Sequence, residues 1–326
     1  MSARMIIDCG TTNLRVTIVD DAGRIAAQGK RPGGVRHTAI DEHNGRLKAM
    51  LADCIAQVLA EAGLSPEGIS RCIAYGMITS NVGLMEIPHL EAPASADDLS
   101  AGVRTALFPD VAPFPISFIP GVRNFSGQVT MENFQGMDMM RGEETEAIGL
   151  FGLLGMQREC VLILPGSHNK FVRMDAQGRI LGCMTSISGE LLDALTHHTI
   201  LADAVGRAFA TEQDYDAELA CQGARECATS GLGRAAFAGR ILSQLGRMES
   251  VRLRSYLLGA VLAQDVQALQ RFTSDAQDVQ FLIAGKPPLQ AAIADVMRTM
   301  GMREAVQVDA AVTARMGLAG ALRIAG

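Results

Sequence analysis

The sequence predicts an α/β protein built from two related halves. One short pattern occurs twice in its 326 residues: a strand, a tight turn with a glycine and a hydroxyl residue, a second strand and a hairpin. The first copy turns at Gly10-Thr11 and the second at Gly166-Ser167, 156 positions later (166 − 10). The hairpins, Gly23-Arg24-Ile25 and Gly178-Arg179-Ile180, lie 155 positions apart (178 − 23). An offset near half the chain length indicates an internal duplication.

The first half predicts the element order βββαβαβ. Alternating apolar residues indicate three strands, at about residues 5–9, 14–20 and 24–30. Apolar residues from Leu47 to Leu59 then recur at helical spacing, and Gly63 ends the helix. A strand follows at 69–75. Ser95 with Asp98 resembles a capping box ahead of another helix, and a last strand covers about 115–119.

The second half repeats this order. It begins with a helix at about 143–154, which precedes the second copy of the pattern. Beyond this helix, periodicity predicts strands at 160–165, 169–174, 179–184, 278–284 and 305–308. It also predicts helical segments at 189–205 and 233–270, a helix from about 288, and a final helix at 310–324.

Composition excludes several classes of function. The net charge is −6 with no basic tract, which disfavours a nucleic-acid partner. No apolar run reaches the length needed to span a membrane, and the residues before Asp8 do not form a secretory signal, so we expect a cytoplasmic protein. The seven cysteines form no CxxC pair, and we expect them to be reduced and mostly buried.

The two turns carry the chemistry that the sequence predicts. Gly10 lets the backbone approach an oxyanion, and Thr11 and Thr12 add hydroxyl and N–H donors. Asp8 ends the preceding strand, where a carboxylate can hold Mg²⁺ through water while the ion bridges phosphates. The alternative is an ordinary Gly-Thr turn with a capping aspartate. Two such turns facing each other can hold the phosphate chain of ATP, so the pattern indicates a phosphotransferase.

These motifs resemble a known family. Asp8–Arg15 is similar to the first phosphate loop of the actin, Hsp70 and sugar-kinase superfamily. Further blocks resemble the 2-dehydro-3-deoxygalactonokinase family in order along the chain: Gly76-Met77, Pro120–Arg123, Met140–Thr145, Pro165–Lys170, Ser188–Leu191 and His198–Leu201. The resemblance implies two related ribonuclease-H-like lobes, as in actin-like ATPases, with a central nucleotide cleft. It places the lobes at residues 1–118 and 119–326, with the last helix packing back on the first lobe.

The resemblance also implies roles for individual residues. Glu143 occupies the position of the family's catalytic base, and Glu144 is the alternative candidate for that role. The nucleotide contacts would be Gly10, Thr11, Thr12, Gly166, Ser167 and Gly285, with Asp8 holding the metal. The substrate contacts would be Arg15, Arg123, Met77 and His168, with Arg141 and Lys170 as further candidates for its carboxylate.

The expected function is an ATP- and Mg²⁺-dependent kinase for the 6-hydroxyl of 2-dehydro-3-deoxy-D-galactonate, a small sugar acid, with a homodimer as the expected assembly. One alternative is a kinase for another 2-keto-3-deoxy sugar acid. Another is a nucleotide-switched scaffold like actin or Hsp70 that has no small-molecule acceptor. The chain departs from the usual family pattern at Cys9, Asn81, Ser167 and Phe171.

Overall fold

The computed structural model describes residues 3–125 and 127–326. Its strands are β1 (Ala3–Cys9), β2 (Asn13–Val19), β3 (Ile25–Pro32), β4 (Ile69–Gly76), β5 (Leu90–Glu91), β6 (Arg104–Ala106), β7 (Ile116–Phe118), β8 (Val122–Arg123), β9 (Met139–Met140), β10 (Cys160–Leu164), β11 (Asn169–Met174), β12 (Ile180–Ser186), β13 (Gln280–Ile283) and β14 (Ala305–Gln307).

The α-helices are α1 (Arg36–Asp41), α2 (Gly45–Ala62), α3 (Ala96–Gly102), α4 (Glu143–Leu153), α5 (Ser188–His197), α6 (Ala217–Ser230), α7 (Leu232–Gln244), α8 (Ser250–Phe272), α9 (Leu289–Thr299), α10 (Ala310–Thr313) and α11 (Met316–Ala325). No helix in the described ranges is both long and apolar enough to cross a membrane.

The two halves form sheets with the same strand arrangement. One sheet runs β3-β2-β1-β4-β7-β6 and the other runs β12-β11-β10-β13-β14. In each, the central strand pairs antiparallel with the next strand in sequence and parallel with a later one. The predicted α/β fold of two related halves is therefore confirmed.

Contacts between residues divide the chain into two compact units. Unit 1 contains residues 1–157, 175–183 and 314–326, and unit 2 contains 158–174 and 184–313. The lobe boundary expected near residue 118 stays a prediction. Each unit has its own apolar core. In unit 1, Leu51, Cys54 and Val58 of α2 pack among buried residues of the sheet, while unit 2 buries β10 and β13 among α8 and α9.

The predicted helices of unit 2 were wrong in three places. The segment at 189–205 is helical only to His197, and 233–270 is two helices, interrupted where Arg247 adopts a φ of +52°. Helix α6 was not predicted at all. Its buried face consists of Leu219 and small residues, and a Cβ atom on Gly223 would lie 1.9 Å from Tyr256 O of α8. Small residues that allow close helix packing do not give the strong apolar periodicity that large side chains give.

Helix α11 packs against α4 within unit 1. The two backbones approach so closely that a Cβ atom on Gly149 would lie 1.9 Å from Met316 O, and one on Gly320 would lie 1.8 Å from Thr145 O. The glycines therefore permit a separation that any side chain would prevent. This contact fixes α4, which begins at Glu143.

Candidate active site

The first turn of unit 1 joins β1 to β2 at residues 10–13. The Gly10 N–H donates to Asn13 O at 2.9 Å, and Val35 N and Arg36 N donate to the carbonyls of Gly10 and Thr11 at 3.1 and 2.9 Å. Within the described ranges, the amides of Thr11 and Thr12 donate no hydrogen bond. Two exposed N–H groups thus remain available for an anion.

The turn packs directly against the segment that leads into α1. Gly34 adopts a φ of +42°, and a Cβ atom there would lie 2.2 Å from Gly10 O. Unit 2 repeats this packing, because a Cβ atom on Gly189 would lie 2.3 Å from Gly166 O. These supporting glycines are 155 positions apart (189 − 34), so the duplication extends through the third strand into the following helix.

Asp8 lies in a row of side chains that crosses four strands. It is the direct cross-strand partner of Arg15 on β2 and of Tyr75 on β4, and Arg15 is in turn opposite Lys30 on β3. Direct cross-strand partners project from the same face of a sheet. Arg15 Nη1 lies 3.7 Å from Asp8 Oδ2. Burial raises the pKa of Asp8 above its ordinary value, and the charge of Arg15 partly opposes that rise.

A cavity of about 470 Å³ opens beside this row. Its walls are the turn and three charged residues of the row, Asp8, Arg15 and Lys30, together with Arg31 and Pro32. Lys30 is exposed, and no carboxylate in the described ranges lies within 4.0 Å of its ammonium. Like charges placed directly opposite each other destabilise a sheet, so Arg15 and Lys30 form a site that favours an anionic ligand.

Two glycines bring α4 next to the end of β1. Gly76 has a φ of +87°, and a Cβ atom there would lie 2.7 Å from Cys9 O. Gly142, which precedes α4, has a φ of +120°, and its Cβ atom would lie 3.2 Å from Gly76 Cα. The backbone therefore places Glu143, the first residue of α4, near Asp8. The charge of Glu143 is one of the influences that raise the pKa of Asp8.

The acidic residues of the first turn of α4 differ in their surroundings. Glu143 is half-buried and accepts a hydrogen bond from Arg141 N at 3.1 Å. Glu144 is fully buried, and both its oxygens accept from Gly142 N, at 2.9 and 2.8 Å. Burial, followed by the charge of Glu143, raises the pKa of Glu144 to about 7. Burial, followed by the charge of Asp8, raises the pKa of Glu146 to about 8.

Arg141 stabilises the segment after β4 through hydrogen bonds. Its guanidinium donates to Thr79 O at 2.6 Å and Thr79 Oγ1 at 2.7 Å, and to Ile87 O at 3.0 Å. His89 Nδ1 lies 3.2 Å from Arg141 Nη2, and burial with the charges of Arg141 and Arg123 lowers the pKa of His89 to about 4. These contacts explain Arg141 as a structural residue.

Arg123 and Met77 occupy the same unit. Arg123 is half-buried on β8, and its Nε atom is buried without a hydrogen-bond partner in the described ranges. Met77 is half-buried directly after Gly76. An unpaired buried donor is costly, which makes Arg123 Nε available to a polar ligand.

The second turn lies in unit 2 and is held from within the protein. The Gly166 N–H donates to Asn169 Oδ1 at 3.0 Å, and Asn169 Nδ2 donates to Asp265 Oδ2 at 2.6 Å. Ser188 Oγ donates to Asp265 Oδ1 at 2.5 Å. Burial raises the pKa of Asp265, and three side-chain hydrogen bonds counteract that rise. Asp265 therefore ties the turn to the start of α5.

The remaining residues expected in this half lie around the same turn. His168 Nε2 is 2.9 Å from Glu190 Oε1. The Lys170 ammonium is buried and bonds to Thr185 Oγ1. A Cβ atom on Gly285 would lie 2.8 Å from Pro165 Cγ, as one on Gly76 would approach Cys9 in unit 1. The chain after β13 thus passes directly over the strand that leads into the turn.

A second cavity, of about 500 Å³, adjoins this turn in unit 2. Its lining is largely apolar and includes Leu192, Phe209, Leu258 and Leu289, with Gly166, Ser167 and Lys286 also facing it. Such a combination of apolar walls beside a glycine-hydroxyl turn suits a flat ring attached to a phosphate chain.

Sequence reasoning missed Lys30, Tyr75 and Asp265. Lys30 and Tyr75 become visible only once the strand registers are known, because both are direct neighbours of predicted residues across the sheet. Asp265 lies 96 positions from Asn169 (265 − 169), and the sequence near it carries no motif. The one available signal was an aspartate on the apolar side of a helical pattern.

The structure does not gather these acidic residues into a metal cage. In the described ranges, no group of three or more His, Cys, Asp and Glu side chains could hold an ion together.

Comparison with known proteins identifies the family. The family model described as 2-keto-3-deoxy-galactonokinase matches residues 8–321. A relative from Rhizobium meliloti (strain 1021), provisionally named a 2-dehydro-3-deoxygalactonokinase, is 32% identical over 209 residues. That match covers 62% of this chain and 59% of the relative, so it spans less than two thirds of the relative's length. The 2-dehydro-3-deoxygalactonokinase of Escherichia coli (strain K12) is 27% identical over 288 residues, covering 87% of this chain and 86% of the relative.

Solved structures show the same fold. A Sinorhizobium meliloti protein provisionally described as a 2-dehydro-3-deoxygalactonokinase superposes with a TM-score of 0.76 at 24% identity, covering 99% of this chain and 98% of that one. Component A of the Acidaminococcus fermentans (R)-2-hydroxyglutaryl-CoA dehydratase superposes with a TM-score of 0.52 at 13% identity, covering 100% and 98%. Proteins with different names therefore share this fold, whereas the match to the family model is specific to one family. This chain belongs to the 2-keto-3-deoxy-galactonokinase family.

Proposed function

We propose that this protein transfers the γ-phosphoryl group of ATP to the 6-hydroxyl of 2-dehydro-3-deoxy-D-galactonate. The family match over residues 8–321 supports the reaction class. The observation that carries the assignment of the site is the approach of Gly142 to Gly76, which brings the start of α4, and so Glu143, beside Asp8 at the end of β1.

Glu143 is the general base in this proposal. It is half-buried, whereas Glu144 is fully buried with both oxygens bonded to Gly142 N. The 6-hydroxyl gives its proton to Glu143 as its oxygen forms a bond to the γ-phosphorus. The bond from that phosphorus to the bridging oxygen breaks, ADP leaves, and Glu143 later returns the proton to water. General-base help of this kind is worth about 10²–10⁴-fold in rate.

The turns supply phosphate contacts. Thr11 and Thr12 have amides without hydrogen-bond acceptors in the described ranges, and Gly10 allows close approach. In unit 2 we assign the same task to Gly166 and Ser167. The neighbouring apolar cavity would take the adenosine, where Gly285 lets the chain pass beside the nucleotide.

The surroundings of Asp8 fit Mg²⁺. Its carboxylate is partly exposed in the cavity beside the turn, and Mg²⁺ in kinases usually takes one or two carboxylates, waters and substrate phosphates. The absence of a three-residue cage in the described ranges agrees with such a site. When bound, Mg²⁺ would neutralise charge that develops on the phosphates.

The sugar acid would be held by cationic and apolar groups. Arg123 offers a buried Nε without a partner in the described ranges. Arg15 lies beside Lys30, whose ammonium has no carboxylate within 4.0 Å in the same ranges. Met77 would pack against the carbon chain. His168 is engaged with Glu190, so it would contact the substrate only by exchanging that partner.

The test is ADP release by the wild type and Glu143→Gln against a panel of 2-keto-3-deoxy sugar acids. We expect release to require a sugar acid, to be fastest with the galactonate derivative, and to fall at least a hundredfold in the variant. If ADP release were faster with another epimer, the protein would be a kinase for that epimer instead. Release independent of every sugar acid would favour the nucleotide-switched scaffold. A cytoplasmic location and a homodimer complete the proposal, and light scattering would test the dimer.

A further inference from the structure

The apolar cavity of unit 2 contains an exposed aromatic ring. Phe209 lines this cavity among leucine side chains, and within the described ranges it is the one aromatic residue to do so. Phe209 is 43% exposed, although the adjacent Ala210 is buried in the core of unit 2. The chain thus turns inward at Ala210 but leaves the ring in the cavity, where it can pack against a flat apolar group of a ligand.

His197, the last residue of α5, restricts the orientation of that ring. The centroids of the two rings are 5.1 Å apart and their planes meet at 88°, which is the edge-to-face arrangement that aromatic rings prefer. His197 is held in turn, because its Nδ1 atom lies 3.0 Å from Asp193 Oδ1, one helical turn earlier. A perpendicular neighbour can cover at most one face of the phenyl ring, so His197 leaves the other face free.

The segment that carries Phe209 is anchored on both sides by Arg254 of α8. Arg254 Nε donates to Val205 O at 3.0 Å, and Arg254 Nη1 donates to Asp214 Oδ2 at 3.0 Å. The side chains of Arg254 and Asp214 are only 19% and 21% exposed, so water competes weakly for their contact. One guanidinium therefore fixes two points nine positions apart (214 − 205), and Phe209 lies between them.

We infer that Phe209 stacks against the base of the nucleotide that enters this cavity. The inference rests on the proposed function and deepens it, because it specifies how the apolar cavity would take the adenosine. Gly166 and Ser167 line the same cavity and would hold the phosphate end. Since His197 and Arg254 hold the ring in advance, little conformational freedom is lost when the base binds. Stacking tolerates any base, so Phe209 contributes affinity for nucleotides rather than a choice among bases.

The test measures ADP affinity by calorimetry in the presence of Mg²⁺. The proteins are the wild type, Phe209→Leu and Phe209→Tyr. We expect Phe209→Leu to weaken ADP binding about tenfold, because leucine keeps an apolar side chain but has no flat face. Phe209→Tyr restores the ring and should recover most of the lost affinity.

Proton NMR of bound ADP reports the stacking itself. A base that lies face to face with a phenyl ring has its adenine H2 and H8 resonances moved upfield by the ring current. We expect this upfield shift with the wild type and its loss with Phe209→Leu. A variant that only loosened the fold would lower the melting temperature, so thermal unfolding of each protein accompanies the binding data.

Phe237→Leu is the matched control. Phe237 lies on α7 of the same unit and is 46% exposed, but it is not among the described residues that line the cavity. The same substitution at this position should change neither the ADP affinity nor the adenine resonances.

The outcomes separate the inference from the proposed function. A Phe209→Leu protein that binds ADP as tightly as the wild type, or keeps the upfield shift, overturns the role of Phe209 and leaves the kinase proposal standing. A loss of affinity that Phe209→Tyr or Phe237→Leu shows to the same degree also overturns it. A wild type that binds no ADP at all overturns the proposed function itself.

Discussion

Replacing Glu144 by glutamine should stabilise the protein above pH 7 and leave phosphoryl transfer almost intact. Glu144 is fully buried in the first turn of α4, where its carboxylate accepts from Gly142 N and lies 3.2 Å from Thr145 Oγ1. Burial and the charge of Glu143 raise its pKa from 4.5 to about 7. The folded state therefore binds this proton more tightly than the unfolded state does.

The magnitude follows from that difference in pKa. Each pKa unit corresponds to about 1.4 kcal/mol, so ionising Glu144 costs the folded protein about 3 kcal/mol. The benefit of the bound proton is complete below pH 4.5, decreases as the pH rises to about 7, and is absent above it. Glutamine does not ionise and avoids this loss. Allowing about 1 kcal/mol for a weakened hydrogen bond, the variant should gain about 2 kcal/mol at pH 8.

The assay is thermal unfolding at pH 5 and pH 8, with ADP release measured on the same samples. Glu218→Gln is the matched control, because Glu218 is also the second residue of its helix, α6, but is exposed. We expect Glu144→Gln to melt above the wild type at pH 8 only, and the control to match the wild type at both values. A variant less stable than the wild type at pH 8 would refute the reasoning. A rate loss above a hundredfold would make Glu144 the base.

Two further predictions concern residues that the sequence did not reveal. Lys30→Met removes one cation beside Arg15 and should raise the KM of an anionic ligand about two- to fivefold, an effect that shrinks in high salt. Steady-state kinetics measures it, and Lys48→Met, which removes a cation on α2 that is paired with Asp110 at 2.9 Å, should show none. Asp265→Asn replaces the acceptor that holds Asn169 and should raise the KM for ATP more than it lowers kcat, with a loss of about 1–3 kcal/mol in stability. An unchanged KM for ATP, measured by the same kinetics, would show that Asp265 does not act through the second turn.

The two turns could be predicted from the sequence because each is formed by consecutive residues. Gly10-Thr11 and Gly166-Ser167 can be compared directly in the sequence, and so can Gly34 and Gly189, whose matching offset of 155 was there to be found. Gly34 and Gly189 require glycine because the backbone of the turn lies 2.2–2.3 Å from where their side chains would begin. Local sequence and local geometry are thus tightly linked at the turns.

The rest of the site depends on register and helix packing. Whether Tyr75 or a neighbour faces Asp8 is decided by strand pairing, and a shift of one residue would place it on the opposite face. Sequence likewise could not choose between Glu143 and Glu144, which are adjacent in one helical turn. Their different burial arises from how α4 packs, and this in turn depends on a helix more than 160 residues later.

The position of that helix has a consequence for biosynthesis. Helix α4 ends at Leu153, and its partner α11 begins only at Met316, 163 positions later (316 − 153). At about 5–20 residues per second, a ribosome needs roughly 8–30 s to make the intervening chain. Throughout that interval the face of α4 that carries Thr145 and Gly149 lacks its α11 contact. The proposed base therefore reaches its final position only after α11 has been synthesised. Until then, the face of α4 that will contact α11 is uncovered, and this is when the growing chain most needs protection by chaperones.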